Sequence, residues 1–360
     1  MPTDTHSAEP VVDPVGHLAW QLRDQAASCA AMGSELYDRL LRAAADDVEA
    51  GGPCLSVLEP HLAPGRGDAL ALRFMAAVHR RVLRGGAPTL AQFYPSVGGT
   101  SDGGDQVFLD EVGAHVSELR AATTRPCQTN EVGRAAGLAG GFLLLARRWG
   151  MPLRLLEVGA SAGLNLRWDH FRFSGGGATW GPSDSPVDLD ELWAVPPPVR
   201  PQVVEVTQRR GCDPAPVDLD SEDGRLGVQA SIWADQTERF ARLAGAIQVA
   251  ARVPAQIDRA SADEWIGAQV AHPVPGVVTV VFQSVVDEYL SDEVRARFGA
   301  TMAEAGARAS SDAPLAWLRL EPDSALRSHA VELTSWPEAE TVTLARCGAH
   351  GQGTEWLDGG

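Results

Sequence analysis

The run LRLLEVGASAGLNLRWDHF, residues 153–171, restricts the fold more than any other stretch of this chain. An apolar segment of strand length runs into a turn of small residues, and a helical pattern follows. Gly159, Ser161 and Gly163 are small at alternate positions, and Glu157 stands two residues before the first glycine. A turn without Cβ atoms lets the backbone approach a ligand closely. A helix beginning near Leu164 would aim its N–H groups and positive dipole end at the same spot. Strand–turn–helix units of this kind build parallel sheets, and open α/β sheets bind ligands at the carboxyl ends of their strands.

The rest of the chain divides in texture at Pro152. After it, strand-like runs alternate with helical ones: LRLLEV at 153–158, VVEVT at 203–207, GVVTVVF at 276–282 and LAWLRL at 315–320. That alternation predicts a doubly wound α/β domain. The runs AVELTSW (330–336) and TVTLARC (341–347) read as an antiparallel hairpin closing one sheet edge. A Gly/Pro-rich insertion at 174–202 is too long for an ordinary connection and reads as a lid. Before residue 150 only helical spacing appears, as in Leu18, Leu22 and Ala26, or Leu36, Leu40, Leu41 and Ala44. The expected organisation is a disordered tail (1–14), a helical N-terminal cap domain (15–127) and an α/β domain (128–360). Thr129 is expected to cap a helix over 130–149.

Composition excludes several classes of function. Lys plus Arg number 30 against 47 Asp plus Glu, a net charge of −17, which repels phosphate backbones and argues against nucleic acid. No apolar run is long enough to span a membrane, and residues 1–15 lack the charge and apolar core of a secretory signal. The five cysteines, Cys29, Cys54, Cys127, Cys212 and Cys347, form no CxxC pair, so no disulfide framework or metal site is expected. These features predict a cytoplasmic protein acting on a small molecule. His79, on an apolar helical face, reads as a core histidine, and Trp168 and Asp169 as packing and pairing residues.

The segment 153–171 resembles the first motif of class I S-adenosylmethionine-dependent methyltransferases, with Ser161 in place of the middle glycine. The resemblance implies a Rossmann-like sheet of seven strands in the order 3-2-1-4-5-7-6. It also implies a cofactor site at Glu157, Gly159, Ser161, Gly163 and Asn165. Asp213, in GCDPAP, matches the acid that binds the ribose hydroxyls, and Asp263 the acid that reads the adenine amino group. Gln128, Asn130 and Arg134 would meet the methionine end, Arg134 clamping its carboxylate. Gln283 and Ser284 follow the fourth strand, where the acceptor would sit, and Glu131, Asp287 and Tyr289 are the candidate catalytic groups. Over 16–356 the chain also resembles a bacterial family described only as a domain of unknown function, through QTNEVGR, GASAGLNL, RRGCD, PVD and IWADQTER. That likeness brings no reaction with it.

Two further readings stay open. Residues 159–163 also match G-x-S-x-G, the nucleophile elbow of serine hydrolases, and Ser161, Asp287 and His350 stand in a permitted triad order. A nucleotide-binding relative that is non-catalytic, or that runs a different reaction, would keep the same turn.

Overall fold

The computed structural model describes residues 13–61, 69–198, 203–323 and 328–357. The tail expected at 1–14 lies outside these, except that Asp13 and Pro14 already cap and begin the first helix. The chain forms two compact units. One comprises residues 1–128 together with 226–237, the other 129–225 together with 238–360. The segment 226–237 is the departure from the expected division at 127/128. No helix among the described residues is long and apolar enough to cross a membrane.

The first unit is helical: α1 (Pro14–Ala31), α2 (Glu35–Glu49), α3 (Pro53–Leu58), α4 (Leu70–Leu83), α5 (Pro88–Ala91), α6 (Asp105–Ala114) and α7 (Val116–Ala122). In α2, Leu36, Leu40, Leu41, Ala44 and Val48 are buried, the i, i+4 stripe read from the sequence. The core of this unit also contains Trp233 and Ala234. Trp233 stacks on Tyr37 with ring centroids 5.9 Å apart. Asp235 accepts hydrogen bonds from the Ser34 hydroxyl at 2.6 Å and from Leu36 N–H at 3.0 Å, so it caps α2. His79 is fully buried, with its two ring nitrogens on Ser96 Oγ and the Ala230 carbonyl. It is a core histidine, as its helical setting implies.

The second unit is mixed α/β. Its strands are β1 (Leu153–Val158), β2 (Arg172–Gly175), β3 (Ala178–Trp180), β4 (Asp188–Leu189), β5 (Trp193–Val195) and β6 (Val206–Asp213). They continue with β7 (Gln256–Arg259), β8 (Val278–Ser284), β9 (Leu315–Asp323), β10 (Ser328–Trp336), β11 (Glu340–Cys347) and β12 (Thr354–Trp356). Among the described residues the main sheet has nine strands, ordered β5-β12-β11-β10-β9-β8-β1-β6-β7. The stretch β9-β8-β1-β6-β7 is parallel, and β10, β11 and β12 each run antiparallel to the strand before them. The sheet is therefore larger than the seven strands expected, and its last strands follow sequence order rather than the swapped 7-6 arrangement. The swap needs a helical crossover after the fifth strand. Here Asp323 and Ser328 are too close in sequence for one, and a short link joins only antiparallel neighbours.

The insertion at 174–202 is not the expected lid, since its described part is folded. β2, β3 and β4 make a small three-stranded sheet, and β5 pairs with β12 at the edge of the main sheet. An aromatic stack fills the space: Trp168 lies 4.8 Å from Phe142 and 5.0 Å from Trp180, and Phe173 lies 5.5 Å from Trp193. Asp169 forms a bidentate pair with Arg209 at 2.7 Å. Both residues have the packing and pairing roles read from the sequence.

Replacing Asp235 by Ala removes two hydrogen bonds from a core formed by distant segments. We expect a loss of about 1–3 kcal/mol of stability, read by denaturant titration, with Asp235→Asn retaining part of it.

Candidate functional site

At the carboxyl end of β1 the chain reverses through Gly159 (φ 68°), Ser161 (φ 52°) and Gly163 (φ 66°). Asp213, the last residue of β6, fixes this turn. One of its carboxylate oxygens accepts Ser161 N–H at 2.9 Å and the other accepts Ala215 N–H at 2.8 Å. Leu164 N–H donates to Asn130 Oδ1 at 2.9 Å. A Cβ on Gly159 would lie 2.6 Å from Val286 Cγ2, and one on Gly163 would lie 2.5 Å from Ile257 Cδ1. The protein's own side chains thus already require glycine at both places. Residues Leu164–His170 form a 3₁₀ segment interrupted at Arg167, not an α-helix. A short, kinked 3₁₀ segment aligns few peptide dipoles, so the turn lacks the positive helix end expected of it.

The segment before helix α8 (Ala135–Trp149) differs from expectation in the same way. The α-helix starts at Ala135, and Val132–Arg134 is a 3₁₀ turn capped by Glu131, whose carboxylate accepts Gly133 N–H at 3.0 Å. Thr129 is not the cap. The other oxygen of Glu131 accepts from Arg239 Nε at 2.7 Å, and the Arg239 Nη2 amine also pairs with it. Burial opposes ionisation of Glu131, but Arg239, His350, Gly133 N–H and Arg134 together hold its carboxyl below the usual range. An ionised, fully paired carboxylate is an anchor, so the catalytic role expected for Glu131 is withdrawn. The Glu131 carbonyl accepts from Asn165 Nδ2 at 3.1 Å. Arg134 donates to the carbonyls of Ala349 at 3.0 Å and Ser284 at 3.1 Å.

After β8, Val285 adopts φ 56°, a strained value for a β-branched residue. Gln283 is fully buried and not available to a ligand. Its Nε2 donates to Asp287 at 2.7 Å and Glu321 at 2.8 Å, while its Oε1 accepts Trp317 Nε1–H at 3.1 Å. Glu321, on β9, also accepts the Val286 and Asp287 N–H groups. Burial, then the neighbouring Asp287, pushes the Glu321 carboxyl up to about 7. Tyr289 is 62% exposed, on the solvent side of this network. Asp263, in the first turn of the helix after β7, is held by Arg297 Nε at 2.7 Å.

The turns after β1 and β8, the 129–134 segment and the loop after β11 converge on one patch of the α/β unit. His350 belongs to that loop. A Cβ on Gly133 would lie 2.3 Å from the His350 carbonyl oxygen. Of the expected site residues, Asn130, Glu131, Arg134, Glu157, Gly159, Ser161, Gly163, Asn165, Asp213, Gln283, Ser284 and Asp287 belong to this network of turns. Asp263 has its own ion pair, and Gln128 belongs to the helical unit. Sequence reasoning missed Glu321, Arg239 and His329. Arg239 lay within the IWADQTER motif. Glu321 and His329 carried no local signal, because only strand pairing brings them to the patch.

Glu321 yields a prediction. Its carboxyl is raised in the fold relative to the unfolded chain, so its contribution to stability is full below pH 4.5 and is lost as pH rises through 7. Glu321→Gln should therefore gain roughly 3 kcal/mol relative to the wild type between pH 4.5 and 8, measured by denaturant titration across that range.

Comparison with known proteins bears on this arrangement at the level of family. No curated protein and no solved structure matches the chain. The model of one family, described as an uncharacterized protein conserved in bacteria (DUF2332), matches residues 19–356. That match covers both units and every residue of the patch, and the chain belongs to this family.

Proposed function

We propose that the α/β unit binds S-adenosylmethionine at the turn 159–165 and directs its methyl group to a small-molecule acceptor. The observation that carries this reading is a pair of buried oxygens without hydrogen-bond partners beside that turn, Glu157 Oε2 and Asn165 Oδ1. Buried polar atoms are nearly always satisfied, so two orphans near the carboxyl end of a central parallel strand suggest a place for missing partners. The residues present suit the cofactor. Each Asp213 oxygen has accepted one N–H and retains capacity for a ribose hydroxyl. Arg134 would hold the carboxylate, and Asn165 Oδ1 would accept from the amino group.

When bound, the cofactor supplies a sulfonium methyl, an electrophile that needs orientation more than acid catalysis. The chain's part is to position the two reactants and exclude water. Asp287 and Glu321 share the Gln283 amide and suit removal of a proton from a hydroxyl or amine acceptor. A group near pKa 7 matches that task at neutral pH.

Calorimetry of the full chain tests the reading. S-adenosylmethionine should bind in the micromolar range, and absence of binding to the wild type sinks the proposal. Arg134→Ala should weaken S-adenosylmethionine by at least tenfold while changing adenosine, which lacks the carboxylate, less than threefold. Equal losses would return Arg134 to a structural role. Binding without transfer to any acceptor would favour the nucleotide-binding relative.

The positive φ of Ser161 favours a second reading, a strained serine hydrolase elbow. Its partners do not support it: Asp287 is held by Gln283, while Arg239, Glu131 and Arg134 act on His350. On the cofactor reading a fluorophosphonate probe leaves Ser161 unlabelled. Labelling there by mass spectrometry would establish the hydrolase instead.

A further inference from the structure

Arg134 is a cation without an anion. Its guanidinium bridges the carbonyls of Ser284 and Ala349, and among the described residues no carboxylate lies within ion-pair distance of it. Glu131, the acid with most influence on it, is spent on Arg239. Two imidazoles border the same group. His350 follows Ala349 directly and is pressed onto the Arg134 segment by the Gly133–Gly351 contact. There a Cβ on Gly351 would lie 2.0 Å from the Gly133 oxygen. His329, the second residue of β10, lies opposite Cys347, and its Nδ1 is buried with no hydrogen-bond partner. The field here is positive. Burial, then Arg239 and Arg134, hold His350 down to about 4, and burial, then Arg134, lowers His329.

We propose that Arg134, His350 and His329 form an anion-binding site whose histidines take up protons as the anion arrives. The ligand group is a carboxylate or another oxyanion. It rests on the methyltransferase reading only for the identity of that anion, which there is the methionine carboxylate; an anionic acceptor is the other source. Burial first, then Arg134 beside both imidazoles and Arg239 beside His350, favour their neutral forms. An arriving anion cancels that field and makes the charged imidazole the better donor. The other groups facing the site are few. Glu131, though paired with Arg239, raises both His350 and Arg134, and Glu321 and Tyr289 act on Arg134 from β9 and from the turn after β8.

His350 is depressed in the fold, so the folded protein binds fewer protons than the unfolded chain between about pH 4 and 6.5. Stability falls as pH drops through that window, and a bound anion restores part of it.

The test uses the full chain with sulfate, S-adenosylmethionine and adenosine as probes. Sulfate keeps its charge over the range used. Calorimetry at pH 5.5 and 7, in two buffers of different ionisation enthalpy, reads affinity and proton uptake together. We expect sulfate and S-adenosylmethionine to bind at least fivefold tighter at pH 5.5, with net proton uptake, and adenosine to show neither. His350→Gln or His329→Gln should reduce the uptake. Sulfate should raise the melting temperature more at pH 5.5 than at 7, a readout that also verifies that each variant is folded. Flat affinity with pH, uptake unchanged in both variants, or no sulfate binding overturns the proposal. If sulfate binds with uptake while S-adenosylmethionine does not bind, the anion site stands and the cofactor reading fails. If S-adenosylmethionine binds with neither pH dependence nor uptake, the reverse holds.

Discussion

The ion pair between Glu131 and Arg239 is the interaction on which the arrangement of the α/β unit's turns depends. Both side chains are almost wholly buried, at 2% and 8% exposure. Removing two charges from water costs several kcal/mol, and their attraction offsets that only when the remaining hydrogen-bonding capacity is met. Here the Gly133 N–H meets the second Glu131 oxygen, so the pair fixes the backbone of the 131–133 turn. Asn165 and Asn130 then tie that turn to the segment after β1. Arg134 emerges from the same turn with its direction already set. Losing either partner would leave a naked charge in the interior, so the pair specifies one geometry more than it adds net stability.

Around that pair, polar satisfaction is unevenly distributed. Asp213, Gln283 and Glu321 have partners on each carboxylate or amide group, and they hold the turns after β1 and β8 in unfavourable backbone conformations. The strain at Ser161 and Val285 persists because these side chains overdetermine it. Glu157 and Asn165 instead keep an unmet oxygen each. At the glycine turn, that contrast separates groups that build the patch from groups that await something in it.

Much of the fold was legible in the sequence, for identifiable reasons. β1 begins and ends where LRLLEV predicts, since a largely apolar run bounded by Pro152 and Gly159 leaves little freedom. The helical stripes of α1 and α2 follow the 3.6-residue period. The edge strand β5 and its neighbour β12 were illegible because they are three residues long and pair with each other from distant positions in sequence. The strand order departs from the methyltransferase arrangement because the link between Leu315–Asp323 and Ser328–Trp336 is too short for a helical crossover. At the site, residues on the glycine turn were found because they are contiguous. Glu321 and His329 were missed because they are adjacent only through the sheet. The cap at Glu131 was misplaced by two residues, since Thr129 has the better intrinsic propensity and loses to a tertiary ion pair.

The segment 226–237 has a consequence for how the molecule is made. Ser34 meets Asp235 across 201 positions of sequence, and Tyr37 meets Trp233 at a similar separation. A ribosome delivers residues 1–128 long before it delivers Trp233. During that interval α2 lacks its capping carboxylate, and a hole the size of an indole remains where the core should close. The helical unit, first to be synthesised, is therefore among the last to be completed, and closing so long a loop slows its formation. A fragment ending at residue 128 would carry the same defect permanently, exposing apolar surface that the whole chain covers with twelve residues taken from its second half.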